Sequence, residues 1–302
     1  MSHPSTDDCT SVSLACPVEE TVYGYYPSLG ANAFFCAYFA TFTIVNLILA
    51  FRYQTWVFGT LVILGSLSEF IGYIGRIIMH SNPWSNVGFE MQICCLIFAP
   101  VSASFYHSDI PHAQAHGPRR GTPILPLRPV LYPWIFISCD ILSLLLQAIG
   151  GATAATANTP SGSATGGHIM LAGIVFQVAT FTFLYILTAM FIFKLRRGLP
   201  SLTAEASTVL FSRDLKIFAT AIFVSSLAVY VRCVYRIAEL AQGWANEIMR
   251  DQTGYIVLDG VMCCIAILAI TVCYPGIFFK SMTSQPKMRE KALKSEGSET
   301  VV

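Results

Sequence analysis

Seven apolar runs account for most of this sequence, and each is close to the length that crosses a lipid bilayer. A helix needs about 20 residues to span the hydrocarbon core. Inside the bilayer every backbone N–H and C=O must be paired within its own segment, so each run is expected to be a helix. Hydrophobic residues make up 54% of the chain and charged residues only 12%, as in membrane proteins. The runs cover 31–51, 57–79, 87–106, 130–150, 168–193, 215–235 and 255–279.

The predicted fold is an all-α integral membrane protein with seven transmembrane helices, its N-terminus outside and its C-terminus in the cytoplasm. Its expected parts are an extracellular N-terminal segment (1–30), a seven-helix membrane domain (31–279) and a disordered cytoplasmic tail (280–302). In this orientation fourteen of the 18 Lys and Arg residues lie on the inner side and two on the outer side. Inner loops of membrane proteins carry such an excess. The small residues of 152–167 predict a flexible outer loop.

The second run carries charged residues at a spacing that places them on one helical face. Glu69, Gly72, Tyr73 and Arg76 follow the i, i+3, i+4, i+7 pattern. A carboxylate or guanidinium at the bilayer centre costs about 2.5–3.5 kcal/mol on insertion scales. Such residues therefore face the bundle interior or a wet cavity and are candidates for function. The alternative is a helix-packing ion pair with Gly72 and Gly75 at close contacts.

Other runs supply polar residues that we expect to meet this face. Most lie in the outer halves of their spans, Glu69 and Asp140 lie nearer the midplane, and the inner halves are largely apolar. The acids and arginines nearly balance in charge, as buried charges require. The pattern predicts a polar cavity of amphiphile size that opens outward; a structural network that fixes helix register is the alternative. The candidate residues are Glu69, Tyr73, Arg76, Gln92, Asp140, Gln147, Gln177, Arg232, Arg236, Glu239 and Asp259.

The remaining cysteine and histidine patterns predict one disulfide and no metal site. Cys9 and Cys16 lie in the outer segment, where oxidising conditions favour a bond that closes a small loop. The three histidines of the proline-rich stretch 107–129 lack the acidic and cysteine partners of a metal site, apart from Asp109. ATP-binding, zinc-protease and nucleophile-elbow motifs are absent from the sequence, so neither an enzyme activity nor a cofactor is expected. The topology already accounts for the basic residues, so no nucleic-acid partner is expected.

Short motifs, in the order of the spans, resemble the fungal lipid-translocating exporter (RTA-like) family. The resemblance covers about residues 9–276 and departs from the family in two places. The proline-rich stretch 107–129 stands where the family continues its third helix, and Tyr274-Pro275-Gly276 stands where the family has His-Pro-Gly. The motifs are Tyr23-Gly24-Tyr25-x-Pro27-Ser28, Glu69-x-x-Gly72-Tyr73-x-x-Arg76, Gln92 with Ala99-Pro100, Asp140-x-x-Ser143-x-x-x-Gln147-x-x-Gly150-Gly151, Gly173-x-x-x-Gln177, Arg232-x-x-Tyr235-Arg236-x-x-Glu239 and Leu258-Asp259-Gly260.

The resemblance implies a plasma-membrane protein that exports or moves lipids such as sphingoid long-chain bases and confers resistance to toxic amphiphiles. Its expected partners are membrane lipids or amphiphilic small molecules. We expect Glu69 and Asp140 to bind an amine head group and Arg76 and Arg232 to neutralise or gate them. A proton can couple to the cycle, because a desolvated carboxylate takes up a proton more readily. A seven-helix lipid or stress receptor that signals through its cytoplasmic loops is the alternative.

Overall fold

A computed structural model describes Cys9 and residues 11–14, 16–96, 131–157, 159–198, 213–243 and 246–278. The regular structure in these ranges is helical, apart from an isolated bridge between Ser13 and Cys16. Helix α7 has three consecutive parts: Gln252–Gly254, a π-helical segment Tyr255–Val261, and Met262–Val272. Short helical turns cover Val18–Glu20, Glu247–Arg250 and Pro275–Phe278. The other helices are α1 (Leu29–Tyr53), α2 (Trp56–Ser81), α3 (Asn86–Leu96), α4 (Leu131–Thr156), α5 (Pro160–Gly198) and α6 (Arg213–Ala241).

Five helices in the described part of the chain are long and apolar enough to cross a membrane. Helix α4 contains a shorter apolar stretch, Ser138–Ala154. The prediction of an all-helical integral membrane protein is therefore confirmed, whereas seven spans and their orientation stay predictions. The third predicted span is described only as far as Leu96, and 107–129 and 280–302 lie outside the described residues. The five stretches are Leu29–Tyr53, Phe58–Ser81, Ser161–Met190, Lys216–Ala241 and Gln252–Ile277.

The helices pack side by side in chain order and close into a ring. Each of α1 to α6 contacts the helix that follows it, and α7 contacts α1. Helix α2 turns the face with Val62, Ser66, Glu69, Tyr73 and Arg76 towards the interior, where all five side chains are buried. Their spacing of three and four residues is that of one helical face. The face predicted for the second span is therefore buried and lines the inside of the ring, and its part in a polar cavity stays a prediction.

The connection between α4 and α5 is much shorter than the flexible loop that the sequence predicted over 152–167. Only three residues separate the two helices, which continue through most of that stretch. Gly150 lies against the backbone of Met170, and Gly166 lies against the backbone of Ala154, so that a side chain at either glycine would collide with the facing helix. Small residues let membrane helices approach closely. The loop prediction was wrong because these residues form a packing surface.

The segment before α1 crosses one end of the ring. Cys9 and Cys16 form a disulfide, with their Cα atoms 5.8 Å apart. Trp84, between α2 and α3, donates a hydrogen bond from Nε1 to the carbonyl oxygen of Cys16 at 3.3 Å. Arg250, between α6 and α7, donates from Nη2 to the carbonyl oxygen of Glu19 at 3.2 Å. The segment therefore joins two connections that belong to different parts of the ring.

Candidate functional site

The interior of the ring holds charged side chains from α2, α6 and α7 in direct contact. Arg232 donates from Nη1 to Oε1 of Glu69 and from Nε to Oδ1 of Asp259, the latter at 2.9 Å. Cys263 lies one turn beyond Asp259; its sulfur accepts from Nη1 of Arg232 at 2.7 Å, and its thiol donates to Oε1 of Glu69 at 3.4 Å. Glu69 and Arg232 are each 2% exposed and Asp259 is 0% exposed. We call Glu69, Arg232, Asp259 and Cys263 the charged cluster.

The formal charges of the charged cluster do not cancel. Two carboxylates share one guanidinium, which leaves a net charge of −1 when all three groups are ionised. Oε2 of Glu69 and Oδ2 of Asp259 are buried and accept no hydrogen bond from any described residue. Buried polar groups are normally hydrogen-bonded, and buried charges are normally paired. These two oxygens can therefore accept hydrogen bonds from an added cationic donor, such as an ammonium group, or one of them can take a proton.

Tyrosine side chains surround Arg76, which lies two helical turns from Glu69 on α2. The guanidinium carbon of Arg76 is 3.8 Å from the ring centre of Tyr255 and 5.2 Å from that of Tyr23. Its Nη2 donates to the hydroxyl oxygen of Tyr25 at 3.1 Å. Burial raises the pKa of Tyr23, which lies outside the spans, and the nearby Arg76 only partly offsets this rise. Tyr23 therefore stays protonated, and its ring stabilises the buried cation through its π face.

Local backbone features position these tyrosines and acids. Gly24 has a φ of 69°, a left-handed conformation that favours glycine, and this turn lies between Tyr23 and Tyr25. On α7 the π-helical segment begins at Tyr255 and includes Asp259, and both side chains are buried. A π-helical turn closes i→i+5 hydrogen bonds and often occurs at functional sites. The first and last thirds of the chain thus both contribute to the surroundings of α2.

Four other predicted residues form two separate contacts. Nη1 of Arg236 donates to Oε2 of Glu239 at 2.7 Å, one turn along α6 from Arg232. Nε2 of Gln147 on α4 donates to Oε1 of Gln177 on α5 at 3.0 Å. Gly173 lies against Gln147, so the same pair of closely packed helices positions both amides.

The remaining predicted residues are buried but lie in other surroundings. Tyr73 is 0% exposed and stacks on Phe39, with 5.6 Å between the ring centres. Gln92 is 0% exposed on α3, and Asp140 is 2% exposed on α4. All three side chains therefore face the interior of the ring rather than its surface.

The structure thus buries ten of the eleven predicted residues, and Arg236 is partly exposed. Arg232, rather than Arg76, is the ion-pair partner of Glu69. Tyr255 and Cys263 were not among the predicted site residues, and Tyr23 appeared only in a family motif. The spacing of Tyr255, Asp259 and Cys263 at i, i+4 and i+8 was a usable signal, because four-residue steps keep to one side of a helix. Among the described residues no group of His, Cys, Asp and Glu could hold a metal ion.

Buried polar contacts also occur away from the charged cluster, at the ends of the spans that are predicted to lie on the cytoplasmic side. Nδ2 of Asn46 on α1 donates to Oγ1 of Thr271 on α7 at 2.9 Å, and both side chains are buried. The hydroxyl groups of Thr55 and Tyr274 are 2.6 Å apart. The first contact joins α7 to α1, and the second joins the residue before α2 to the chain that follows α7.

Comparison with known proteins agrees with the sequence motifs. Residues 62–282 match a family described as RTA1 like protein. This chain belongs to the RTA1-like family. The matched range includes α2 from Val62 onward, α6 and α7, and thus the whole charged cluster. The resemblance drawn from the motifs is confirmed.

Three relatives from Saccharomyces cerevisiae show how far the RTA1-like similarity extends. The sphingoid long-chain base transporter RSB1 is 28% identical over 290 residues, which cover 86% of this chain and 75% of that protein. Protein RTA1 is 24% identical over 304 residues, or 92% of both chains. Protoporphyrin uptake protein 1 is 29% identical over 223 residues, or 71% of this chain and 67% of that protein. No solved structure matches this chain.

Proposed function

We propose that this RTA1-like protein moves amphiphiles with an amine head group, such as sphingoid long-chain bases, outward across the plasma membrane. The observation that carries the proposal is the pair of buried carboxylates that share Arg232. The name of RSB1, a sphingoid long-chain base transporter, supports an amphiphile of this kind. Removal of toxic amphiphiles from the membrane by the same route would give resistance to them, without chemical conversion of the substrate.

In this proposal the positive charge of the amine neutralises the net negative charge of the charged cluster. An alkylammonium group carries three N–H donors and one positive charge. Two of these donors reach Oε2 of Glu69 and Oδ2 of Asp259, the buried oxygens that lack a partner among the described residues. The cluster then holds two negative and two positive charges. Asp140, which is buried on α4, supplies a further carboxylate along the path.

A proton replaces the amine when the head group leaves. An uncompensated charge in a low-dielectric interior is unfavourable, so a carboxylate that loses its cationic partner takes up a proton. Exchange of one amine for one proton at the same oxygens couples outward movement of the base to inward movement of protons. In the proposed topology, with seven spans and the N-terminus outside, the segment before α1 covers the extracellular end of this path.

The test is movement of a fluorescent sphingoid base in vesicles that contain the purified full-length protein, with and without a pH gradient. Glu69→Gln keeps the size of the side chain and its Oε1 acceptor but removes one negative charge. A charge-assisted hydrogen bond contributes about 1.5–3 kcal/mol, so we expect the initial rate at low substrate concentration to fall about tenfold or more. Glu247→Gln makes the same change at an exposed position and should keep the wild-type rate.

Two results would contradict the proposal in different ways. If Glu69→Gln transports the base as fast as the wild type, the charged cluster does not take part in transport. If the wild type binds the base but transports none of it under any gradient, the result would instead favour a receptor function. A rate that is independent of the pH gradient, with Glu69→Gln still impaired, would refute only the exchange of amine for proton.

A further inference from the structure

Arg76 is a buried positive charge, and binding of an amine by the charged cluster gives it no role. It is 1% exposed, and no described carboxylate forms an ion pair with it. Its Nε and Nη1 atoms are buried and have no hydrogen-bond partner in the described ranges. A guanidinium group has five N–H donors, and three of them are on these two nitrogen atoms. More than half of the donor capacity of Arg76 is therefore unused.

The surrounding tyrosines stabilise the charge of Arg76 but do not use these donors. Tyr255 and Tyr23 present their rings to the guanidinium carbon, and only Tyr25 accepts a hydrogen bond, through a neutral hydroxyl oxygen. A cation–π contact acts through the ring face, whereas the N–H donors of guanidinium lie in its plane and require an acceptor atom. The arrangement holds a cation in place and leaves hydrogen-bond donors available beside it.

The other interior arginines already have acidic partners. Arg232 contacts Glu69 and Asp259, and Arg236 contacts Glu239. An anionic group that enters the ring would therefore meet an uncompensated positive charge at Arg76. Guanidinium groups bind phosphate and carboxylate through hydrogen bonds that are stronger than those to a neutral hydroxyl oxygen. Tyr25, which is partly exposed, is the acceptor that such an anion would replace.

We propose that Arg76 binds an anionic oxygen group, a phosphate or a carboxylate, on the amphiphile that this protein carries. The inference rests on the proposed function and extends its substrate class from amines to amphiphiles that also carry an oxyanion. Arg76 follows Glu69 by seven residues on α2, about 10 Å along the helix axis. The two residues give one interior face an acidic end and a basic end, which suits a head group with both charges.

Binding to the full-length protein in lipid nanodiscs tests this inference without transport. The probes are sphinganine 1-phosphate and sphinganine, which differ only in the phosphate group, and inorganic phosphate serves as the competitor. Arg76→Gln should weaken binding of sphinganine 1-phosphate about tenfold to a hundredfold, and by a larger factor than binding of sphinganine. Arg76→Lys keeps a charge but fewer donors and should give a smaller loss. Arg52→Gln removes an exposed guanidinium from α1 and should leave both affinities unchanged.

The competitor separates two sources of the anion. If inorganic phosphate competes at millimolar concentration, the site takes free phosphate. If it does not compete, the site requires a lipid head group. Either result supports an anion site at Arg76. The inference would be overturned if Arg76→Gln, or a folded Arg76→Lys, bound sphinganine 1-phosphate with wild-type affinity. Equal losses of affinity for the two probes would overturn it as well. Vesicles in which the wild type moves no base would refute the proposed function but not phosphate-dependent binding.

Discussion

Replacing Arg232 by Met tests whether the charged cluster holds the helices of the ring together. Met fills much of the same space with a flexible apolar side chain, so the loss of charge is separated from the loss of volume. Glu69 and Asp259 would then lie in the interior without the guanidinium that both of them contact. Cys263 would lose a donor as well.

The expected loss can be worked out from these contacts. Arg232 donates one hydrogen bond to each of two carboxylates. A hydrogen bond to a charged group contributes about 1.5–3 kcal/mol, and two give about 3–6 kcal/mol. Removing one partner of a buried ion pair costs about 3–5 kcal/mol, because the remaining charge stays buried. We therefore expect the free energy of unfolding to fall by about 3–5 kcal/mol.

The measurement is a denaturant titration of the purified protein in one detergent, for the wild type, Arg232→Met, Glu69→Gln and the double variant. Glu69→Gln removes one of the two carboxylates that Arg232→Met leaves unpaired, so the double variant should be more stable than the sum of the single effects by about 0.5–3 kcal/mol. Arg52→Met, at an exposed position, should change stability by less than about 0.5 kcal/mol. Additive effects, or an Arg232→Met variant as stable as the Arg52→Met control, would refute the reasoning.

Two further predictions concern the packing of α4 on α5 and the disulfide in the segment before α1. Gly166→Leu places a side chain against the backbone of Ala154, so we expect the same titration to show that the free energy of unfolding falls by about 1–3 kcal/mol. Ala152→Leu, on the exposed face of α4, should leave it unchanged. Equal effects of the two substitutions would contradict close packing. Replacing Cys9 and Cys16 by Ser opens a short loop whose closure contributes about 2–3 kcal/mol in the chain-entropy model. Hydrogen exchange should then become faster in the segment before α1 and stay unchanged in α1; unchanged exchange in both would count against a structural role for the disulfide.

The interior face of α2 could be predicted from sequence because two independent constraints agree there. Glu69, Tyr73 and Arg76 repeat at helical spacing, and the lipid around the bundle disfavours charged side chains on its outer face. Their burial follows from these two facts without knowledge of any partner. The same reasoning applies to Asp140 and Asp259, which lie in apolar runs and are buried.

The partners of these charges could not be predicted, because pairing depends on how the helices are arranged. Spacing within a span does not show whether Arg76 or Arg232 meets Glu69. The π-helical segment Tyr255–Val261 departs from the α-helical period, and periodicity alone does not reveal such a change. Tyr23 lies in a segment without helical periodicity, and its position over Arg76 depends on contacts with connections elsewhere in the ring.

The long sequence separation within the charged cluster has a consequence for biosynthesis. Arg232 follows Glu69 by 163 residues in the chain. At a synthesis rate of about 5–20 residues per second, roughly 10–30 seconds pass before the ribosome delivers this partner. During that interval α2 carries a carboxylate and a guanidinium that lipid tails disfavour. We therefore expect the nascent α2 to stay beside the translocon or a membrane chaperone until α6 and α7 emerge and pair with it.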